Sequence, residues 1–224
     1  MGINTEKYRE IIDELKGKVT LVAVSKTKPV DDIQALYNLG QRDFGENYVQ
    51  ELVEKFELLP KDIRWHFIGH LQSNKVKSIA PFVHLIHGVD SLSLLKEINK
   101  QAFKNNRVIN CLLQIHIATE ETKFGFDSHE LNEMKQILAD SDLKNIHIAG
   151  FMGMASFSDD KNLIRKEFRN LKKIFNHNKE LSSANHHLQT LSMGMSGDYK
   201  IAIEEGSTMV RIGSLLFGQR NYNK

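Results

Sequence analysis

A single cysteine, three prolines and one tryptophan stand among the 224 residues. One thiol cannot form an intramolecular disulfide, which excludes the stapled secreted scaffolds and suits a reducing compartment. Cys111 leads an apolar run, so a buried structural thiol is its expected role. No apolar stretch approaches a membrane span, and the polar N-terminus lacks an apolar signal core; a soluble, cytoplasmic protein is expected. Charge of one sign is lacking too: 30 basic residues face 28 acidic ones, for a net charge of +2. They are interspersed, without a basic block, so nucleic acid is not an expected partner. No linker, internal repeat or low-complexity tract divides the chain. Walker-type loops, dinucleotide glycine fingerprints and nucleophile elbows are also missing. What is there is an apolar content of 41%, enough for a full core.

The apolar residues recur in alternating patterns. Thr5 to Lys16 places Tyr8, Ile11, Ile12 and Leu15 at helical spacing. Leu21 to Val24 is an uninterrupted apolar run that delivers Ser25 and Lys26, and it reads as a strand buried on both faces. Val30 to Leu39 is helical, with Ile33, Leu36 and Tyr37 inward and Gly40 as its stop. Arg42–Phe44 and Arg64–Ile68 are strands two and three, with a helix carrying Leu52, Val53 and Phe56 between them. A further helix runs toward Ala80 and is stopped by Pro81. Val83–Val89 is strand four, and Ser91 caps the helix that follows to Phe103. Strand five is Asn110–Ile117; a polar loop and a helix capped by Ser128, with Leu131, Met134, Ile137 and Leu138 inward, precede strand six, Ile146–Met152. A long helix from Asn162 to Leu181 buries Leu163, Phe168, Leu171 and Phe175; strands seven (His187–Leu191) and eight (Thr208–Ile212) flank a short helix from Tyr199 to Glu205. Eight strands alternating with helices predict an α/β fold, a single (β/α)8 barrel over residues 1–224. A doubly wound open sheet is the alternative.

A barrel gathers all carboxyl ends of its strands on one face. There the sequence places Lys26, Asn47, His70 with Asn74, Asp90, Lys123, Met154 with Ser156, Ser196, and Arg211 with Gly213 and Ser214. A lysine partly buried at such a strand end loses hydration of its charged form, and the neutral amine can attack a carbonyl. The loops after strands seven and eight are the usual phosphate site of this fold. Here they are rich in small and hydroxyl residues; Ser196 is expected to cap the following helix, and Gly213–Ser214 leaves backbone N–H groups approachable. Arg211 interrupts the apolar run Met209–Ile212, so it must be paired with a barrel carboxylate or functional. A reactive lysine, a phosphate site and a fixed cation together suit pyridoxal phosphate (PLP), whose aldehyde takes the lysine and whose ring nitrogen meets an acidic or Arg partner.

Several motifs carry a family resemblance: Val24–Pro29, Phe44–Asn47, His66–Lys75, Leu191–Ser196 and Gly206–Gly213. With them the chain resembles, from first strand to last, the pyridoxal phosphate homeostasis proteins (the YggS/PROSC family). The resemblance implies a barrel like the N-terminal domain of alanine racemase, with PLP as a Schiff base on Lys26. It also implies phosphate contacts from Ser196, Gly213 and Ser214, with Arg211 facing the pyridine nitrogen and Asn47 lining the pocket. Ser214 departs from the family's usual threonine and keeps the hydroxyl. The implied function is non-enzymatic binding and hand-over of PLP, with PLP-dependent apo-enzymes as recipients and a monomer as the expected state.

The competing reading is a PLP-dependent amino-acid racemase. It needs acid/base groups on both faces of the substrate carbon. Lys26 serves one face; His70 and Lys123 are the internal candidates for the other. In alanine racemase that group comes from an added domain and a partner subunit, and this chain ends just after the barrel. A Schiff-base aldolase is a third possibility, though aldolase lysines usually sit on a later strand. The ten histidines do not suggest a metal. His66 and His70 would lie about 13 Å apart along a strand, and the neighbours His186 and His187 should point to opposite faces.

Overall fold

A computed structural model of the chain describes residues 2–119, 125–127, 129–134, 143–178 and 186–219. Eight parallel strands close into one barrel in chain order: β1 (Thr20–Val24), β2 (Asp43–Glu46), β3 (Arg64–Phe67), β4 (Leu85–Val89), β5 (Ile109–Gln114), β6 (Ile146–Met152), β7 (His186–Met195) and β8 (Met209–Ile212). β8 returns to β1 with Thr20 opposite Met209 and Ala23 opposite Ile212. This is the expected barrel, and it rules out the open sheet.

The helices wrap the outside. In chain order they are α1 (Thr5–Leu15), α2 (Val30–Asn38), α3 (Val49–Leu58), α4 (Val76–Ile79), α5 (Leu92–Lys104), α6 (residues 129–134), α7 (Lys161–His177), α8 (Tyr199–Glu204) and α9 (Ser214–Phe217). Each turns an apolar stripe inward. On α7 the buried residues include Ile164, Phe168, Leu171 and Phe175, while Leu163, expected inside, is only half-buried. Ser91 caps α5 by accepting from the Leu94 N–H at 3.4 Å. Ser128, Ile137 and Leu138 lie outside the described residues.

Two apolar sets follow from the alternation of strand side chains. The large one fills the space between sheet and helices and contains Trp65, Phe44, Phe151 and Phe168. The small one, Val22, Leu85, Leu112, Met152 and Met209, fills the lumen. His87 and Arg211 follow Leu85 and Met209 at period two, so they share the lumen with it. Cys111 is fully buried, and burial pushes its thiol far above the usual range. Among the described residues no helix is long and apolar enough to cross a membrane.

The largest revision concerns β7. The strand does not stop at Leu191 but continues to Met195, pairing Ser192 with Met209 and Met195 with Arg211. A register shift between those pairs, with Gly194 at φ +97°, lets it run on through a sequence rich in Ser and Gly. β5 is shorter than expected and ends at Gln114.

Candidate cofactor site at the carboxyl face

The strand ends enclose a cavity of about 400 Å³. Lys26, Asn47, Ser196, Arg211, Gly213 and Ser214 all line it, as do Lys28, Met154, Phe157 and Met195. All six expected site residues therefore meet in one place. His70 does not line it; its ring is half-exposed and bonds Asp90 at 3.1 Å. Lys123 lies outside the described residues. Phe157 is 97% exposed at the mouth.

Lys26 stands two residues past the end of β1, and its neighbours are held firmly. Ser25 Oγ donates to Glu46 Oε1 at 2.6 Å, and the Thr27 N–H donates to Glu51 Oε1 at 2.5 Å. Lys55 Nζ donates to Ser25 O, Glu46 Oε1 and Glu51 Oε1 at 2.8, 2.8 and 2.6 Å. One ammonium thus serves two carboxylates. Burial pushes Glu46 up to about 7, against the pull of Lys55, and its Oε2 has no hydrogen-bond partner. Lys28 Nζ donates to Phe217 O and Gly218 O, tying the loop to the end of α9.

Asn47 sits where β2 ends. Gly69 presses against it: a Cβ there would lie 2.5 Å from Asn47 O, so only glycine lets the β3 loop approach. Asn47 Oδ1 is buried without a partner.

Ser196 was expected to cap α8. Instead its Oγ accepts from the Gly213 N–H at 3.2 Å, joining the loops after β7 and β8. α8 begins only at Tyr199, beyond the reach of Ser196, and Asp198 turns back to accept from the Met195 N–H. Gly213 packs its Cα over Val24, where a Cβ would stand 3.1 Å from Val24 O.

Arg211 was expected either to pair with a carboxylate or to be functional. At 4% exposure it makes its hydrogen bonds to neutral groups. Nη1 donates to Ser192 O at 2.9 Å and to Ser192 Oγ at 2.6 Å, and Nη2 donates to Gly153 O at 3.2 Å. Burial lowers its pKa to about 10, which Asp198 partly opposes, so the group stays a cation at neutral pH. Behind it a chain of contacts crosses the lumen. Ser192 Oγ meets His87 Nδ1 at 3.2 Å, His87 Nε2 meets His66 Nδ1 at 2.9 Å, and His66 Nε2 meets Asp43 Oδ1 at 3.0 Å. A neutral His87 has one ring nitrogen to donate and one to accept, so it links Ser192 to His66 in either tautomer. Burial holds His87 well below the usual imidazole range. Burial alone would raise Asp43, but hydrogen bonds from His66 and Arg64 hold it at about 2.

Neither network was foreseen. Lys55 and Glu51 stand at i and i+4 on α3, a visible pair, but nothing local marks it as buried. Among the histidines, His66 and His87 are buried and bonded to each other. No group of three or more His, Cys, Asp or Glu among the described residues is placed to hold a metal ion.

An eight-stranded parallel barrel with a lysine after β1 and small-residue loops after β7 and β8 defines a class, and comparison with known proteins agrees. Residues 3–221 match the family described as alanine racemase, N-terminal domain. A protein of Aquifex aeolicus named pyridoxal phosphate homeostasis protein is 43% identical over 204 residues, 90% of this chain and 87% of that one. PipY of Synechococcus elongatus, solved with PLP bound, superposes with a TM-score of 0.85 at 33% identity, covering 95% of this chain and 99% of that one. Alanine racemase from Streptomyces coelicolor shares the fold, with a TM-score of 0.72 at 12% identity over 93% of this chain and 56% of that one. The chain belongs to the family of the pyridoxal phosphate homeostasis proteins.

Proposed function

We propose that this protein binds pyridoxal 5′-phosphate on Lys26 and serves as a non-enzymatic carrier in cytoplasmic vitamin B6 homeostasis, handing the cofactor to PLP-dependent apo-enzymes. The observation that carries the reading is the convergence on one cavity of Lys26, the bridged Ser196–Gly213 loops and the buried cation Arg211. When bound, PLP supplies an aldehyde for attachment to an amine and a pyridine ring that withdraws electrons. The residues fit it. Ser196, Gly213 and Ser214 would hold the phosphate, Arg211 would face the ring nitrogen, and Asn47 would line the pocket. Residues 1–224 act in this reading as one barrel domain, and as a monomer.

Arg211 bears on the choice between carrier and racemase without excluding the latter, because racemases resemble this site there. A permanent cation beside the ring nitrogen disfavours its protonation and weakens the electron sink that a carbanion needs. Among the described residues lining the cavity, the remaining amine is Lys28, already committed to two backbone carbonyls, and no imidazole, carboxyl or phenol joins it. Among the described residues the second face of a substrate carbon thus meets no further acid or base, and Lys123, the other candidate, lies outside them.

The test is α-proton exchange. PLP-loaded protein incubated with L-amino acids in deuterated water should leave the Cα–H signal unchanged over hours. A loss of signal that requires Lys26 would establish catalysis and the racemase reading. Lys26→Ala should fold and lose the visible absorbance of attached cofactor; colour surviving in that variant would move the attachment to another lysine.

A further inference from the structure

The turn that carries Lys26 is held by residues that do not line the cavity. Lys55, on α3, is 4% exposed, and its three bonds go to Ser25 O, Glu46 Oε1 and Glu51 Oε1. Glu51 Oε1 also accepts from the Thr27 N–H at 2.5 Å. The carbonyl before Lys26 and the amide after it thus end on one ammonium–carboxylate pair.

Between those anchors the backbone is strained. Thr27 has φ +63°, the left-handed region that β-branched residues avoid. Such a conformation persists only where its surroundings hold it, and it clusters where geometry serves function. The Lys28 N–H donates to Ser25 O at 3.0 Å and closes the turn at whose third residue, Thr27, the positive φ falls, and the bonds from Lys55 and to Glu51 brace that turn from outside. What the turn does is set the direction in which Lys26 leaves the strand, and Lys26 lines the cavity.

We propose that Glu51 and Lys55 are positioning residues for Lys26: their ion pair clamps the left-handed Ser25–Thr27 turn and so presents the lysine to the cofactor. The inference rests on Lys26 being the point of attachment. Glu51 is the handle for testing it, because it sits at the edge of the buried cluster and its removal leaves Lys55 paired with Glu46. Glycine adopts a positive φ without strain, so it supplies the complementary change at position 27.

The experiment compares wild type, Glu51→Ala, Thr27→Gly and the double variant. Each is loaded with PLP, and the dissociation rate is followed by loss of visible absorbance into an excess of an apo-acceptor, beside a thermal melt. Borohydride trapping and peptide mapping of the wild type locate the attachment independently. Glu51→Ala should release PLP about tenfold faster, and the double variant should return most of the way to the wild-type rate. A clamp that is only structural would lower the melting temperature of Glu51→Ala and leave its dissociation rate unchanged. That result, or a double variant as fast as Glu51→Ala, overturns the proposal. Trapping of the wild type on a lysine other than Lys26 overturns the attachment reading instead.

Discussion

Behind Lys26 the barrel buries an ammonium, that of Lys55, among carboxylates; at Arg211 it buries a guanidinium among neutral groups. Lys55 has Glu46 and Glu51 within 2.8 Å, so its charge is neutralised where it stands. Arg211 is bonded to two carbonyls and a hydroxyl, and the carboxylate whose field reaches it, Asp198, is engaged with the Met195 N–H. The difference separates structural charge from functional charge. A compensated ion holds backbone in place and exerts little field beyond itself. An ion satisfied by dipoles stays fixed and keeps its field, strengthened by the low dielectric around it. Three of the five N–H groups of Arg211 are used in its bonds, which leaves donors for the cavity it lines.

The comparison breaks most readily at its two cations. Lys55→Met strands two carboxylates, and we expect it to lower the free energy of unfolding by about 3–5 kcal/mol in denaturant titrations. Glu46→Gln in the same chain should recover part of that loss. Arg211→Met removes a buried charge and strands only neutral acceptors, so its cost should stay below about 3 kcal/mol, while retention of PLP falls sharply. Equal destabilisation by the two variants would mean that Arg211 is compensated after all.

A smaller effect is expected in the lumen. His87→Leu deprives Ser192 and His66 of a hydrogen-bond partner each, costing about 1–3 kcal/mol. Its sharper signature is spectroscopic: if the relay orients Arg211, the absorption maximum of bound PLP should shift. An unchanged spectrum and affinity would make the relay packing alone.

The smallest effect is set by pH, and the two networks respond at opposite ends. Asp43 is held at about 2, below its ordinary 3.8, so its contribution is present above 3.8 and is lost as pH falls toward 2. Glu46 is raised from 4.5 to about 7, so the stabilisation from its protonated form is present below 4.5 and disappears as pH climbs through 7. Urea midpoints of the PLP-free protein should therefore decline on both sides of mildly acidic pH. Asp43→Asn should flatten the acid limb and Glu46→Gln the alkaline one; limbs that do not respond belong to other groups.

How much of this the sequence carried depends on the range of the interaction. The strands were legible because an apolar run such as Leu21–Val24 states its own burial, and Gly40 states the end of α2. The six cavity residues were legible because the barrel rule puts every strand end on one face, whatever the separation along the chain. The end of β7 was not: Ser192–Met195 has the composition of a loop, and only pairing with β8 holds it as a strand. The role of Ser196 was missed for a related reason, since its partner is the Gly213 amide across the seam between two loops. The lumen chain needed Asp43, His66, His87 and Ser192 from four different strands, and no local pattern reports which side chains share a layer. Burial of Lys55 is equally silent in a helix whose Glu54 and Glu57 face water.

The cavity lies across the join between the chain's two ends. Lys28 and Phe217, bonded there, are 189 positions apart, and the β1–β8 pairing beside them is the longest loop closure in the barrel. Contacts of such separation carry the largest entropic cost and tend to slow folding. A molecule held at one end by the residue after β1 and at the other by the loops after β7 and β8 is a staple over that join. Loading should then slow unfolding more than any stabiliser seated elsewhere on the barrel, and a protein emptied of its cargo becomes the easier one to open and degrade.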